Sequence, residues 1–369
     1  MPIRFRAAHD QIPTFARADL PEDLVRACFN EPHVPPLPGL EEAIRAEIPR
    51  LNEYGSALDA ARAAVGRAHG RAPEEVLFGS GSMDLIRALV GAVCEPGDEV
   101  LFSWPTFEGY VSACHTHGAT PVTVPATPDG APDVAALAAA LTPRTRVVIV
   151  ATPENPSGRA LTGQELERLV AAIPGDVVLA LDEAYSDFAT SPRARFGAPV
   201  FGDAIALPDG AVVLRTLSKA AGLASLRVGY ALARPEIIAG LAKMRTENGV
   251  DRLAIAATAF CFSNAGLDAI DERVAWIVAE RQRIERTLRD RMERAEAEGE
   301  PSIPVPHSDG NFVWLPVGER AEELAAELRS TARILARAFP GLGVRYTVVE
   351  AEHNDRFIDA VSAWATTTR

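Results

Sequence analysis

Lys219 and Lys243 are the only two lysines in this chain of 369 residues; the other 35 basic residues are arginine. Lys219 sits in "RTLSKAAGLASLRVGY", residues 215–230. A solvated surface charge can be either residue. A guanidinium stays charged and is not a usable nucleophile, whereas a primary amine can lose its proton and condense with a carbonyl carbon. Residue type alone does not separate that chemistry from chance, so the surrounding polar residues have to.

Asp182 closes the apolar run of "DVVLALDEAY" and is followed three residues later by Tyr185. A carboxylate at the inner end of a buried strand is costly unless it meets a cation, although a helix cap is the plainer role. Asn155 lies in "TPENPSG", directly after another apolar run; by itself it reads as a turn residue. Gly81 and Ser82 follow "EEVLFG" and open a helical pattern. Glycine permits the tight turn there, and free N–H groups at a helix start attract phosphate. Ser218 adjoins Lys219, and Arg227 opens the next strand eight residues later, where a surface ion pair is the plain alternative. Together these residues supply an amine, a carboxylate, an amide and phenol, and a phosphate cup with a serine and an arginine. That set matches the needs of pyridoxal 5′-phosphate: a lysine for its aldehyde, an acid for its pyridine nitrogen, donors for its ring hydroxyl and cationic contacts for its phosphate.

The elements that must position these groups alternate. The spacing predicts strands at 74–79, 98–103, 120–126, 145–152, 176–185, 211–219 and 227–233. Helices are expected at 58–70, 82–93 and 131–141, and from the capping box of Thr162 and Glu165 onward. Runs such as "TRVVIVAT" are apolar throughout, as strands buried on both faces are. The fold class is α/β, with a mainly parallel central sheet flanked by helices and a smaller α+β domain. Beyond it, a charged helix covers 268–297, a strand 311–317, a helix "AEELAAELRSTARILARAF" (321–339), a strand 343–349 and a closing helix 354–367. The expected division is an N-terminal arm at 1–50 belonging to the small domain, a large domain at 51–265 and a small domain at 266–369. "NEPHVPPLPGL" carries four prolines in eleven residues, so residues 1–40 are expected to run irregular and extended over the surface.

The net charge of −13 argues against general nucleic-acid affinity, which needs a basic surface. No apolar run approaches a membrane span. The N-terminal "MPIRFRAAHD" lacks the apolar core of a signal peptide, and Cys28, Cys94, Cys114 and Cys261 are scattered without metal spacing. A cytoplasmic enzyme acting on small molecules is expected.

"DEAY", "RTLSKAAGLASLRVGY" and "TPENPSG" resemble the signature segments of class I/II aminotransferases of fold type I. Within that family the chain resembles histidinol-phosphate aminotransferases, and more closely the aromatic amino-acid (phenylalanine) aminotransferases of the same subgroup. The likeness runs from "FNEPHVPPLP" through "NFVWLP" to "GVRYTVVEAEHNDRF". It implies that Lys219 holds pyridoxal phosphate and shuttles the Cα proton, and that Asp182 pairs with the pyridine nitrogen. Asn155 and Tyr185 would contact the ring hydroxyl, and Phe107 would stack on the ring. Gly81, Ser82, Ser218 and Arg227 would hold the phosphate. Arg345, with Asn155, would bind the substrate carboxylate. Tyr54, in "LNEYG", would reach the phosphate in a neighbouring subunit, which implies a homodimer. The implied reaction is ping-pong transfer of an amino group to a 2-oxo acid such as 2-oxoglutarate.

Three departures stand out. "NEPHVPPLP" lacks the tyrosine of the family's "NENPYG"-like segment, Met83 replaces a frequent acid, and Glu154 replaces the asparagine before Asn155. The first two weigh against histidinol phosphate, which stays as the alternative. A decarboxylase or lyase on the same fold is a further rival. A regulatory module would need a DNA-binding domain, for which the match leaves no room. A dehydrogenase is disfavoured because "GSGSMD" lacks the GxGxxG spacing.

Overall fold

In a computed structural model of the chain, residues 3, 7–12, 21, 23–54, 57–190 and 209–367 are described. The expected arm is thus covered in part, and its residues 1, 2, 4–6, 13–20 and 22 lie outside the described residues. Among those described, seven strands form one sheet: β1 (Val76–Ser80), β2 (Glu99–Trp104), β3 (Thr120–Pro125), β4 (Thr145–Ala151), β5 (Val178–Asp182), β6 (Val212–Thr216) and β7 (Val228–Leu232). Their spatial order is β1-β7-β6-β5-β4-β2-β3. Strands β2, β3, β4, β5 and β6 pair in parallel. Strand β7 runs antiparallel to both β1 and β6. The mainly parallel sheet read from the sequence is present.

Alternate residues of β4 enter different cores. Val147 and Ile149 pack with Leu85, Leu89 and Val90 of the helix Ser82–Val93. Val148 and Val150 pack with Leu166 and Leu169 of the helix Gly163–Ala172. Both faces of the sheet are therefore covered, which is why its strands are apolar without alternation. The Thr162 and Glu165 capping box forms as expected: the Glu165 backbone N–H donates to Thr162 Oγ1, and the Thr162 N–H donates to Glu165 Oε2 at 2.7 Å.

A second, antiparallel sheet contains β8 (Phe312–Gly318), β9 (Arg337–Phe339) and β10 (Leu342–Thr347), in the order β8-β10-β9. The 34-residue helix Asn264–Ala297 and the helix Ala351–Thr367 pack beside it. One expectation needs correction here. The helix foreseen over 321–339 ends at Thr331; Arg333 takes a left-handed φ of 56°, and the chain then forms β9. Pro340 and Gly341 (φ 73°) turn β9 back into β10, and a Pro-Gly pair between apolar runs is a hairpin signal.

The proline-rich N-terminal segment is irregular, as foreseen, but it is not laid over the surface. Leu24, Ala27, Cys28, Asn30 and Leu37 are buried. Its backbone polar groups find partners in the second sheet region: Val25 N–H donates to Arg333 O, and Thr347 N–H donates to Ala27 O. Prolines prevent a regular element, yet they do not prevent burial when the remaining N–H groups are satisfied. The strands foreseen at 176–185 and 211–219 are also shorter, stopping at Asp182 and Thr216.

Thr162→Ala removes the side-chain half of the cap on helix 163–172. The expected loss is about 1 kcal/mol, read as a lower urea midpoint with unchanged slope.

Candidate active site

Residues Ser80, Ala151, Asp182 and Thr216 are the last residues of β1, β4, β5 and β6. These four strands run the same way, so their carboxyl ends share one edge of the sheet, where ligands of open α/β sheets bind. Because β7 is antiparallel, Arg227, just before it, returns to the same edge. A cavity of about 250 Å³ opens there, lined by Ser82, Phe107, Asn155, Asp182, Tyr185, Ser218, Lys219, Arg227 and Arg345 among others. Nine of the eleven residues singled out from the sequence thus meet in one place.

Gly81 lies directly behind this wall. Its φ of 78° with ψ of 168° is a conformation that essentially only glycine adopts. A Cβ there would stand 2.5 Å from the Arg227 guanidinium. No side chain caps the helix that begins at Ser82, and Ser82 and Arg227 both line the cavity; an uncapped helix start beside an arginine suits a phosphate. Ser218 Oγ accepts from Thr216 Oγ1 at 3.0 Å. Tyr54 is the exception. It is 94% exposed and borders a separate hollow with Arg62 and Arg245.

Lys219 Nζ donates to the carbonyls of Phe29 at 2.9 Å and Asn30 at 3.1 Å. Burial, then the nearby charge of Arg345, lowers its pKa to about 7, with Arg227 adding a weaker push. A large share of the amine is therefore neutral near neutrality, the form that attacks a carbonyl. Asp182 accepts at Oδ2 from the Tyr110 hydroxyl at 2.7 Å and at Oδ1 from the Ala184 N–H at 3.1 Å. Burial raises its pKa, and those two donors oppose the rise.

The turn carrying Tyr185 is held from below. Glu183 and Asp187 are both buried and both reach Arg215 of β6. Burial pushes Glu183 up to about 7 even against that guanidinium. Tyr185 Oη accepts from Asn30 Nδ2 at 2.9 Å, which leaves the phenol's own proton available to a ligand. Arg345 is 3% exposed. It donates to Cys28 O at 2.7 Å and to Asn155 Oδ1, while its Nε finds no partner among the described residues. A buried guanidinium with unused donor capacity is suited to a carboxylate.

Three residues of the cavity, Asn30, Tyr110 and Arg337, and the buried Glu154, next in sequence to the cavity residue Asn155, carry no role in the sequence reading. Asn30 has a left-handed φ of 55° and bonds Thr347 as well as Tyr185; its signal is an asparagine in the irregular "FNEP" stretch. Tyr110 is indistinguishable in sequence from a core tyrosine. Glu154 is buried, accepts from Thr106 Oγ1 at 2.6 Å, and burial pushes it up to about 8. Arg337 was concealed inside the overlong helix.

Pyridoxal phosphate fits these residues. The amine and the buried carboxylate follow adjacent strands, and Gly81 lets the backbone approach the Arg227 guanidinium where a side chain would not fit. The sheet order, the small antiparallel sheet and this donor set define a pyridoxal-phosphate enzyme of fold type I.

Residues 22–361 match the family described as Aminotransferase class I and II, and the chain belongs to that family. It is 39% identical over 369 residues to an aromatic amino acid aminotransferase of Rhodococcus opacus, covering 100% of this chain and 97% of the relative. It is 36% identical to one from Mycobacteroides abscessus, covering 99% and 100%. Histidinol-phosphate aminotransferase from Sinorhizobium meliloti, solved with pyridoxal-5′-phosphate, superposes with a TM-score of 0.79 at 27% identity, over 92% of this chain and 90% of that one. The protein is a pyridoxal-phosphate-dependent transaminase. No single helix among the described residues is long and apolar enough to cross a membrane.

Capture of pyridoxal phosphate by the cofactor-free protein should accelerate as pH rises through about 7, the value for Lys219, because only the neutral amine attacks. It should level off about one unit above, whereas an ordinary lysine would keep gaining toward pH 10. Stopped-flow absorbance across pH 5.5–9.5, spanning roughly that range, checks this.

Proposed function

We propose that the protein transfers an amino group from an aromatic amino acid, phenylalanine or tyrosine, to a 2-oxo acid such as 2-oxoglutarate, by ping-pong turnover. The observation that carries the reading is Arg345, a buried guanidinium whose Nε has no partner among the described residues, on the wall of the cavity that also holds the Lys219 amine. It supplies one cation for one substrate carboxylate, with Phe29 and Phe107 on the same cavity wall. Relatives named aromatic amino acid aminotransferase support the same donor class.

When bound, pyridoxal phosphate supplies an aldehyde for the substrate amine and a ring that takes up the electron pair left at Cα. Lys219 would provide the covalent anchor and, once released, would remove the proton from substrate Cα and return it, across the substrate nitrogen, to the carbon that was the cofactor's aldehyde, as base and then acid. Asp182, raised by burial and opposed in that rise by the Tyr110 and Ala184 donors, would pair with the ring nitrogen and favour a proton there. Tyr185 and Asn155 serve the ring hydroxyl. Gly81, Ser82, Ser218 and Arg227 hold the phosphate, and Phe107 covers the ring. Arg345 orients the substrate through its carboxylate. A retained carboxylate disfavours the decarboxylase reading.

Histidinol phosphate is the second reading. It is favoured by the Sinorhizobium meliloti likeness and by a second cavity arginine, Arg337. The proposal includes a homodimer in which exposed Tyr54 reaches the partner's phosphate site. It also includes a cytoplasmic setting, and the division into an arm (1–50), a large domain (51–265) and a small domain (266–369).

Single-turnover absorbance of the cofactor-loaded protein, with each donor added alone, separates the readings. Phenylalanine or tyrosine should convert the bound cofactor at least about tenfold faster than histidinol phosphate, the discrimination an apolar pocket supplies; a faster conversion by histidinol phosphate reverses the assignment. Lys219→Arg keeps the charge but removes the base. Turnover should fall by about 10²–10⁴-fold, and wild-type rates in that variant would remove Lys219 from the reaction.

A further inference from the structure

Arg345 and Arg337 are direct cross-strand partners in the β10–β9 register. Residues directly opposite one another project from the same face of a sheet. Both reach the cavity. Two like charges so placed repel; burial is the larger cause of the lowering of Arg345 to about 10, and the Arg337 charge contributes to it. Their surroundings differ. Arg345 meets only neutral acceptors, Cys28 O and the Asn155 amide. Arg337 meets a carboxylate: its Nη2 donates to Glu108 Oε1 at 2.6 Å, and its guanidinium lies over the Phe339 ring, 5.1 Å from the centroid. Of this cross-strand pair, Arg345 therefore has no carboxylate hydrogen-bonded to it, while Arg337 is already paired with one.

Glu108 is placed for this by the segment after β2. It is the residue that leads into helix Gly109–His117, one position beyond Phe107. The pair is half-buried, with Arg337 at 37% and Glu108 at 41% side-chain exposure, so its influence on a ligand is moderated by solvent rather than abolished.

We propose that Glu108 is the specificity-determining residue of this site: by holding the Arg337 charge, it makes the side-chain end of the cavity electrically neutral and sets discrimination against ligands whose side chains carry an anion. The inference rests on reading the cavity as an amino-acid site with Arg345 at the carboxylate. A neutral aromatic side chain leaves the Arg337–Glu108 pair intact. A phosphate or distal carboxylate must draw Arg337 away from Glu108 or bind beside that carboxylate, and either costs affinity. The acidic acceptor 2-oxoglutarate meets the same barrier, so its KM carries the cost as well.

The test uses the cofactor-loaded enzyme and two acids that lack an amino group and cannot react. Binding of 3-phenylpropanoate and of 3-phosphonopropanoate is followed through the bound cofactor's absorbance, for wild type, Glu108→Gln, Arg337→Gln and the double variant. Glu108→Gln should tighten 3-phosphonopropanoate about tenfold relative to 3-phenylpropanoate, as removal of one like charge at a half-buried site predicts. It should also lower KM for 2-oxoglutarate with kcat held. The double variant should lose the gain, because no freed arginine remains. An unchanged ratio of the two dissociation constants in Glu108→Gln overturns the proposal, as does a gain that survives in the double variant. If Glu108→Gln does not load cofactor, Arg337→Gln decides: weaker 3-phosphonopropanoate binding by more than about threefold contradicts a neutralised Arg337, and no change supports it. The donor profile of the wild type is a separate result. A wild type fastest with histidinol phosphate defeats the aromatic reading, while the binding ratios still decide the role of Glu108.

Discussion

Arg345 ties together three stretches of chain that are far apart in sequence. One nitrogen bonds the Cys28 carbonyl in the N-terminal segment, another bonds Asn155 after β4, and the arginine itself belongs to β10. A guanidinium buried this deeply must have its donors satisfied, because an unpaired buried charge is among the costliest defects a fold can carry. The need to solvate Arg345 with protein atoms therefore draws the irregular segment and the β4 loop against the small sheet. The cavity is what remains between them. The N–H capacity that Arg345 leaves unused keeps a place for a ligand's carboxylate.

The same logic sets the electrostatics of the floor. Asp182 and Glu154 are both buried, and burial raises both. They differ in what opposes it: Tyr110 and the Ala184 N–H for Asp182, Thr106 and the Asn155 N–H for Glu154. Lys219 is displaced the other way by burial and by Arg345. Burial thus moves acids and amine in opposite directions, with Glu154 pushed up to about 8 and Lys219 down to about 7. Below them, Arg215 with Glu183 and Asp187 forms a buried ion network that fixes the Tyr185 turn from beneath.

Strand ends were legible because β1, β4, β5 and β6 are apolar on both faces, so the first polar residue after each run marks the sheet edge. That is how Gly81, Asn155, Asp182 and Lys219 could be placed together before any coordinates. The resemblance added Phe107, Arg345 and the roles. Two kinds of residue escaped. Asn30 acts in a proline-rich stretch where no periodicity reports burial, and its backbone carbonyl matters as much as its side chain. Arg337 was hidden because alanine-rich "TARILARAF" suits a helix by propensity, while the Pro340-Gly341 turn and pairing with β10 decide for a strand. Tyr110 shows a third limit: a hydroxyl that bonds a buried acid and one that merely fills a core look alike in sequence.

Strand β7 runs against its neighbours, and this has a consequence for the length of chain between Lys219 and Arg227. The chain leaves β6 at the ligand edge and must re-enter β7 at that same edge, so the excursion 217–227 is a closed loop with both ends fixed on adjacent strands. Leu217 N–H donating to Val228 O pins its mouth at 3.0 Å. Most loops absorb an inserted residue by bulging outward. This one cannot do so without shifting the arginine relative to the amine, because both project from the loop itself. The seven residues between them act as a ruler: the distance from cofactor anchor to phosphate grip is set by the chain's arc length together with the buried Ala220, Ala221 and Leu223 that hold the loop in the core, and an insertion here would separate anchor from grip while leaving the sheet intact.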